Sequence, residues 1–199
     1  MIASAAFYNP RAEELSERYS GARFEEVHAG LLPHLPPRGA TIADVGAGSG
    51  RDAFALARLG YRVTAIEPSP GMREWAMSRR PTADVRWIDD ALPDLGLVRA
   101  EGRMFDFVLC SAVLMHLPAT TLVACFATLA AITAPGGNLA ISVRAPISGD
   151  PKAIFHAHSA LALEAAAKGS GLALRDHGES VDLLGRQLVK WRWMVFQHS

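Results

Sequence analysis

The sequence has few lysines and no excess charge of either sign. Its 199 residues include 20 Lys and Arg against 20 Asp and Glu, and its lysines, Lys152, Lys168 and Lys190, lie far apart. A balanced chain without a basic run creates no overall field that attracts nucleic acid or an anionic membrane. We therefore expect neither of them as a partner.

The chain is also poor in cysteine. Cys110 and Cys125 both stand in strongly apolar stretches, where a cysteine is more often a small buried hydrophobic side chain than half of a disulfide. The first ten residues lack the basic flank and apolar run of a signal peptide. These features favour the reducing cytoplasm and give no sign of export.

No run of the chain has the character of a membrane span. Residues 107–143 contain no Asp, Glu, Lys or Arg, but Pro118, Pro135 and Gly136 divide this stretch. No piece of it supplies the roughly 20 consecutive apolar residues that a bilayer requires. We interpret it as a buried strand, a loop, a helix and another strand.

The sequence does contain an alternation of strand-like and helix-like segments. Short β-type runs predict strands at residues 41–45, 61–66, 84–88, 105–110 and 138–143. Helical periodicity with Gly or Pro stops predicts helices at residues 51–59, 70–80 and 118–134. Residues 92–103 give no clear pattern. Because such alternation implies parallel strands joined by right-handed crossovers, we expect an open α/β sheet covered on both faces.

The C-terminal part departs from this alternation. Asp150 and Pro151 resemble a helix cap and first turn, which predicts a helix that continues to Gly169. Two late strands are predicted near residues 172–175 and 189–195. Because only a loop joins these strands, they should pair antiparallel.

The N-terminal part predicts two helices, at residues 11–19 and 24–35, the second ended by Pro36 and Pro37. About forty residues are too few for an independent core. We expect this segment to pack over the edge of the sheet or over the mouth of a site.

A glycine-rich turn between the first strand and the helix after it is the most informative motif. Gly46, Gly48 and Gly50 follow Asp44, which lies inside the strand. Glycines let a ligand approach the backbone closely, and a helix start offers unpaired amides to polar groups. The dinucleotide fingerprint has two residues between its second and third glycines, which would require glycine at Arg51. The spacing therefore argues against a nicotinamide dinucleotide.

This shorter spacing, with Asp44 before it, resembles motif I of the class I S-adenosylmethionine-dependent methyltransferases. Glu67 ends the second strand, where a carboxylate can accept hydrogen bonds from both hydroxyls of a ribose. It matches the acidic residue that the family uses in that way. Residues 111–118 resemble the family's motif IV loop, and residues 135–139 resemble its turn into the fifth strand. The resemblance implies a doubly wound, mostly parallel seven-stranded sheet with an antiparallel last strand.

The resemblance also implies S-adenosylmethionine as the bound methyl donor. Asp90 matches the carboxylate that accepts from the adenine amino group, with Asp89 as its competitor, and the Ala91 amide would meet the ring. Pro68, Met72 and Leu92 would enclose the base, although the helical spacing of Met72 fits plain core equally well. The expected cofactor contacts are Tyr19, Asp44, Gly46, Ala47, Gly48, Gly50, Glu67, Pro68, Met72, Asp90, Ala91 and Ser111. Tyr19 enters this set as a lid residue.

The candidates for catalysis are His116 and Arg144. A sulfonium methyl is already activated, so alignment is the main requirement, and a histidine can take the proton of a hydroxyl or protonated nitrogen acceptor. The alternative for His116 is a hydrogen-bonded side chain that fixes its loop. Arg144 follows the fifth strand and would clamp a carboxylate or phosphate of the acceptor, or else form a surface ion pair.

Several other side chains favour structural interpretations. His156 and His158 would diverge on a helix and hold no metal together, and His158 is interpreted as a satisfied core histidine. The alternating Trp191 and Trp193 are interpreted as core. We expect no metal site.

The predicted function is methyl transfer from S-adenosylmethionine to a small-molecule acceptor, with S-adenosylhomocysteine as the product. The predicted organisation is one domain, with a helical lid at residues 1–38, a cofactor-binding core at 39–146 and a C-terminal helix and two strands at 147–199. A nicotinamide-dependent oxidoreductase and a non-catalytic S-adenosylmethionine-binding module are the alternatives. The acceptor and the oligomeric state carry no readable motif.

Overall fold

The computed structural model describes residues 3–81, 83–186 and 189–199. These residues contain a seven-stranded sheet of order β3-β2-β1-β4-β5-β7-β6. Its strands are β1 Thr41–Val45, β2 Arg62–Ile66, β3 Val85–Ile88, β4 Phe105–Ser111, β5 Thr133–Arg144, β6 Leu172–Val181 and β7 Lys190–His198. Strands β1 to β5 pair parallel, and β7 pairs antiparallel with both β5 and β6. The predicted doubly wound sheet and its antiparallel end are confirmed.

The helices lie between the parallel strands and at both ends of the chain. They are α1 Ala3–Tyr8, α2 Ala12–Ser20, α3 Phe24–Val27, α4 Arg51–Arg58, α5 Pro70–Arg79, α6 Gly96–Ala100, α7 Leu122–Ile132 and α8 Ala160–Lys168. Short 3-10 turns occupy Asn9–Arg11, Leu32–His34, Leu114–His116 and Ala119–Thr121. No helix among the described residues is long and apolar enough to cross a membrane.

The core lies on both faces of the sheet because successive residues of a strand point to opposite sides. Ala43 and Ile42 of β1 are both fully buried, in different clusters. One cluster includes Phe126 of α7 and Leu163 of α8, and the other includes Leu56 of α4. Cys110 and Cys125 are buried and free, as predicted.

The fifth strand is longer than predicted. It begins at Thr133 and contains the Pro-Gly-Gly segment that the sequence indicated as a turn. The pairing with β4 shifts register there, and Gly136 has a φ of +75°. A Cβ on Gly137 would lie 2.9 Å from the carbonyl oxygen of Asp106. These glycines therefore form a bulge inside the strand instead of a turn before it.

The predicted helix start at Asp150 is wrong. Helix α8 begins ten residues later, where the Ser159 hydroxyl accepts from the amide of Ala162 at 3.1 Å and caps the helix. The Asp150 carboxylate instead accepts from Arg144 and from the backbone N–H of Ile147. The ion pair with Arg144, at the end of β5, has taken the place of the cap.

The N-terminal segment also differs from its prediction. The helix expected at residues 24–35 is only α3 and a 3-10 turn, and α1 was not predicted. A Cβ on Gly30 would lie 2.4 Å from the Trp193 ring, so the indole packs directly on this backbone. Tertiary contact with β7 thus overrides the local helical pattern.

Candidate functional site

A cleft of about 640 Å³ opens at the carboxyl ends of β1, β2 and β4. In the order of this sheet, β1 and β4 are neighbours whose crossovers run in opposite directions, which is the point where open α/β sheets bind ligands. The predicted site residues that line the cleft are Tyr19, Gly46, Ala47, Gly48, Glu67, Pro68, Met72, Asp90, Ala91, Ser111, His116 and Arg144. Asp44 and Gly50 do not line it.

The glycine turn forms the floor of the cleft. Gly46, Gly48 and Gly50 all have positive φ, at +74°, +53° and +74°, a region that L side chains rarely adopt. The amides of Gly46 and Ala47 donate to the carbonyl oxygen of Ile66 at 2.7 and 3.1 Å, which ties the turn to the end of β2. A Cβ on Gly46 would lie 2.3 Å from the side chain of Val113. The turn is therefore a bare-backbone cradle.

Asp44 is buried beneath this turn. The residue is 2% exposed, and its Oδ2 has no hydrogen-bond partner among the described residues. Burial, followed by the neighbouring Asp52, raises the pKa of Asp44 well above its ordinary value. An unsatisfied buried acceptor is costly unless another group completes its bonding. Asp44 thus offers an acceptor just behind the cradle.

Glu67 is held between the turn and the end of β2. Its Oε2 accepts from the amide of Gly48 at 2.9 Å, and its Oε1 accepts from that of Ser69 at 2.8 Å. Burial raises the pKa of Glu67, and the two backbone donors oppose that rise. Each carboxylate oxygen accepts more than one hydrogen bond. The group is therefore fixed in place with acceptor capacity left for a ligand.

Asp90, not Asp89, lies at the cleft. The Oδ1 of Asp90 accepts from the amide of Ala91 at 2.8 Å, and its Oδ2 accepts from those of Leu97 and Val98 at 2.8 and 3.1 Å. The side chain of Asp89 is 63% exposed and paired with Arg73 at 2.7 Å. Of the two candidate carboxylates, only Asp90 lines the cleft.

Met72 belongs both to the packed interior and to the cleft wall. It is 2% exposed, and its sulfur accepts from the hydroxyl of Ser16 at 3.3 Å. Pro68 and Leu92 line the same cleft. The two interpretations of Met72 are therefore compatible.

His116 lies in the cleft wall, and its partner there is Tyr8, which the sequence did not single out. The Tyr8 hydroxyl is 3.1 Å from Nε2 of His116, and the Ile154 carbonyl oxygen is 3.2 Å from Nδ1. Burial is the main cause that lowers the pKa of His116 to about 4. Phe155 packs edge-on against the imidazole with ring centroids 4.7 Å apart.

Arg144 forms a buried ion pair instead of a surface one. It is 6% exposed, and its guanidinium binds both carboxylate oxygens of Asp150, one of them at 3.1 Å. The carbon of the guanidinium lies 4.6 Å from the ring centroid of Phe155. Most of its donor capacity is thus committed within the protein, although its Nε has no partner among the described residues.

A buried cluster of His28, Asp52 and Arg51 borders the glycine turn and was also missed. Nε2 of His28 lies 2.9 Å from Asp52 Oδ2, and Arg51 Nε donates to Oδ1 at 2.7 Å. Burial alone would raise the pKa of Asp52, but His28 and Arg51 hold it well below its ordinary value. The sequence signal was Asp52 in the first helical turn after the glycines.

Trp191 and Trp193 are half-buried and line the cleft, so their interpretation as plain core was too narrow. His158 lies outside any helix, and its Nε2 donates to the carbonyl oxygens of Leu114 and Leu117 at 3.0 and 3.1 Å. Within residues 3–81, 83–186 and 189–199, no group of His, Cys, Asp and Glu is arranged to hold a metal ion.

The sequence matches a family model described as a methyltransferase domain over residues 42–137. The ubiquinone biosynthesis O-methyltransferase of Xanthomonas axonopodis pv. citri (strain 306) is 36% identical over 122 residues, which are 60% of this chain and 48% of that protein. The chain thus spans about half the length of this curated relative.

Solved structures are similar over nearly the whole chain. A TehB-like SAM-dependent methyltransferase from Corynebacterium glutamicum ATCC 13032 matches with a TM-score of 0.74 and 20% identity, covering 96% of this chain and 99% of that one. The [4+2]-cyclase SpnF matches with a TM-score of 0.76 and 13% identity, covering 98% and 95%. At such identities these likenesses concern the fold alone.

Proposed function

We propose that the chain is a class I S-adenosylmethionine-dependent methyltransferase that transfers the methyl group of S-adenosylmethionine to a small-molecule acceptor. The observation that carries the proposal is the bare glycine cradle beside a buried, backbone-fixed Glu67. A carboxylate held there suits the two hydroxyls of a ribose. The product would be S-adenosylhomocysteine.

The residues around the cradle fit the remaining parts of this cofactor. Asp90 and the Ala91 amide border the region expected for the adenine. Asp44 does not line the cleft, but its buried Oδ2, which has no partner among the described residues, lies just behind the cradle on the side proposed for the methionine part. Gly46 packs so closely against Val113 that no side chain fits at this position, which keeps the turn a bare backbone. When bound, the cofactor supplies a methyl group on a positively charged sulfur.

The chain itself would position the acceptor and exclude water. Ser111 ends β4 at the cleft, and its hydroxyl is fixed 2.8 Å from that of Ser142. Tyr19 lines the cleft from α2. His116, on the loop after β4, is the proposed base or orienting group, and Arg144, whose charge Asp150 balances, is proposed to shape the acceptor side of the cleft. Alignment of the acceptor with the carbon–sulfur bond at roughly 3 to 3.5 Å supplies most of the rate enhancement.

The cleft suits a small molecule better than a polymer because the N-terminal helices α1 and α2 cover one side of it. The balanced charge supports the same choice. Because both cysteines, Cys110 and Cys125, are buried and free, we propose that the protein works in the reducing cytoplasm.

Binding and turnover test these proposals separately. Thermal shift and calorimetry with S-adenosylmethionine, S-adenosylhomocysteine and NAD should show binding of the first two only. A screen with methyl-labelled donor over pools of phenols, amines, thiols and carboxylic acids should then identify a labelled product. Binding without any labelled product would support the non-catalytic alternative, and binding of NAD alone would reject the proposal.

A further inference from the structure

Tyr8 and His116 form a hydrogen-bonded pair in the cleft wall that cofactor binding does not explain. They are 108 residues apart in sequence, and the Tyr8 hydroxyl is 3.1 Å from His116 Nε2. Their rings also pack edge to face, with centroids 5.4 Å apart. Both side chains line the cleft that contains the glycine turn.

The partner of Nδ1, the other ring nitrogen of His116, determines which group donates in the hydrogen bond between Tyr8 and His116. Nδ1 of His116 faces the carbonyl oxygen of Ile154, which can only accept, so Nδ1 carries the proton. In a neutral imidazole Nε2 is then the acceptor, and the Tyr8 hydroxyl must donate to it. The Tyr8 oxygen keeps its lone pairs for a second partner.

The walls around this pair are aromatic and electrically balanced. The Phe155 ring contacts His116, and its centroid lies 6.2 Å from that of Phe7. Arg144 is neutralised by Asp150. Such walls suit a planar, uncharged ring better than a free carboxylate or phosphate.

We propose that Tyr8 and His116 form a proton relay for an acceptor whose nucleophile is a hydroxyl on an aromatic ring. This proposal rests on the methyl transfer proposed above and names its acceptor class and a further catalytic residue. The acceptor oxygen forms a bond to the methyl carbon as the carbon–sulfur bond breaks. Its proton passes to the Tyr8 oxygen while the Tyr8 proton passes to Nε2 of His116. The positive charge of the sulfonium thus ends on the imidazole, and no other reactant is needed.

The charged and titratable groups around the relay are consistent with this role. Arg144 and His156 oppose protonation of His116, and Asp150 favours it. Burial, Tyr19 and Glu67 raise the pKa of Tyr8, and Arg144 lowers it. A hydroxyl becomes more acidic as its oxygen is methylated, so even a weakly basic imidazole can take this late proton. Because the pKa of His116 is low, its imidazole is unprotonated at neutral pH and can accept this proton.

The test compares Tyr8→Phe with two acceptors, catechol and 4-nitrocatechol, whose hydroxyl is already ionised near neutral pH. We expect Tyr8→Phe to lower kcat with catechol about 100-fold and kcat with 4-nitrocatechol several-fold at most, with an unchanged Kd for S-adenosylmethionine. Tyr61→Phe is the matched control, because its hydroxyl donates to the Pro36 carbonyl oxygen outside the cleft. It should leave both rates unchanged.

The relay also predicts non-additive losses. The double variant Tyr8→Phe/His116→Asn should be no slower on catechol than the slower single variant. Equal losses on both acceptors would mean that Tyr8 only shapes the site and would overturn the relay. Labelling of amines or thiols but of no phenol or catechol would overturn it too. A wild-type protein that does not bind S-adenosylmethionine would instead refute the proposed function.

Discussion

At the scale of single residues, the site depends on the absence of a side chain at Gly46. Gly46 has a φ of +74° and faces Val113, whose Cγ2 would lie 2.3 Å from an added Cβ. Gly136 has nearly the same φ, +75°, but nothing within 4 Å of its Cβ position. Alanine variants at these two glycines therefore distinguish the effect of backbone strain from the effect of close packing.

We predict that Gly46→Ala abolishes S-adenosylmethionine binding, whereas Gly136→Ala keeps it. Both variants carry the left-handed strain of an alanine, about 1–2 kcal/mol, and only Gly46→Ala adds the clash in the cradle. Calorimetry and thermal denaturation of both variants measure the two effects. Equal affinities in the two variants would show that the cradle does not touch the cofactor.

A second prediction concerns His116 and the pH dependence of the free energy of unfolding. Burial lowers its pKa to about 4 in the folded chain, against about 6.5 when unfolded. The unfolded state therefore binds the proton first, and stability is lost as the pH falls from about 6.5 towards 4.

Between these two pH values, the wild-type free energy of unfolding should fall by about 2–3 kcal/mol more than that of His116→Asn. Urea denaturation at several pH values checks this difference. If the free energy of unfolding changed with pH in the same way for both proteins, His116 would not be desolvated in the folded state.

Some residues of the site could be predicted from the sequence, and others could not. Glu67 and the glycines could be predicted because each stands at a fixed offset from a strand end, within a contiguous motif. Tyr8 could not, because its partner is 108 residues away and its helix carries no recognisable pattern. Arg144 was found as a charge after an apolar strand, but its partner Asp150 was assigned to a helix cap.

At the scale of elements, the N-terminal segment is held to helices α4 and α5 by several side-chain hydrogen bonds. Asn9 accepts from the amide of Gly71 at 2.8 Å, and Ser16 donates to Met72. His28 pairs with Asp52, and this pair is buried on both sides. Such long-range contacts leave no local periodicity, which explains why the sequence predicted α2 well and residues 24–35 poorly.

We predict that His28→Ala lowers the free energy of unfolding by about 3 kcal/mol, because it leaves a buried carboxylate with one partner fewer. It should also speed proteolysis within residues 3–35. The control is His34→Ala, whose partner Asp176 is 47% exposed. This variant should lose much less stability, and an equal loss in both would contradict the anchoring role of His28.

At the scale of the whole molecule, the sheet order explains why distant motifs meet. Strands β1, β2 and β4 are neighbours and parallel, so Gly46, Glu67 and Ser111 all lie at one edge. The alternation of strands and helices was sufficient to predict this arrangement. The length of β5 and the start of α8 depended on contacts between elements and could not be predicted.

The most direct test is the affinity of S-adenosylmethionine for the wild type and for Glu67→Gln, measured by isothermal calorimetry. Loss of hydrogen bonds to a buried charge is worth about 1.5–3 kcal/mol, so we predict one site per wild-type chain and a Kd about 10- to 100-fold weaker in the variant. The exposed Glu164→Gln should bind like the wild type. No binding heat from the wild type, or an unchanged Kd in Glu67→Gln, would contradict the account.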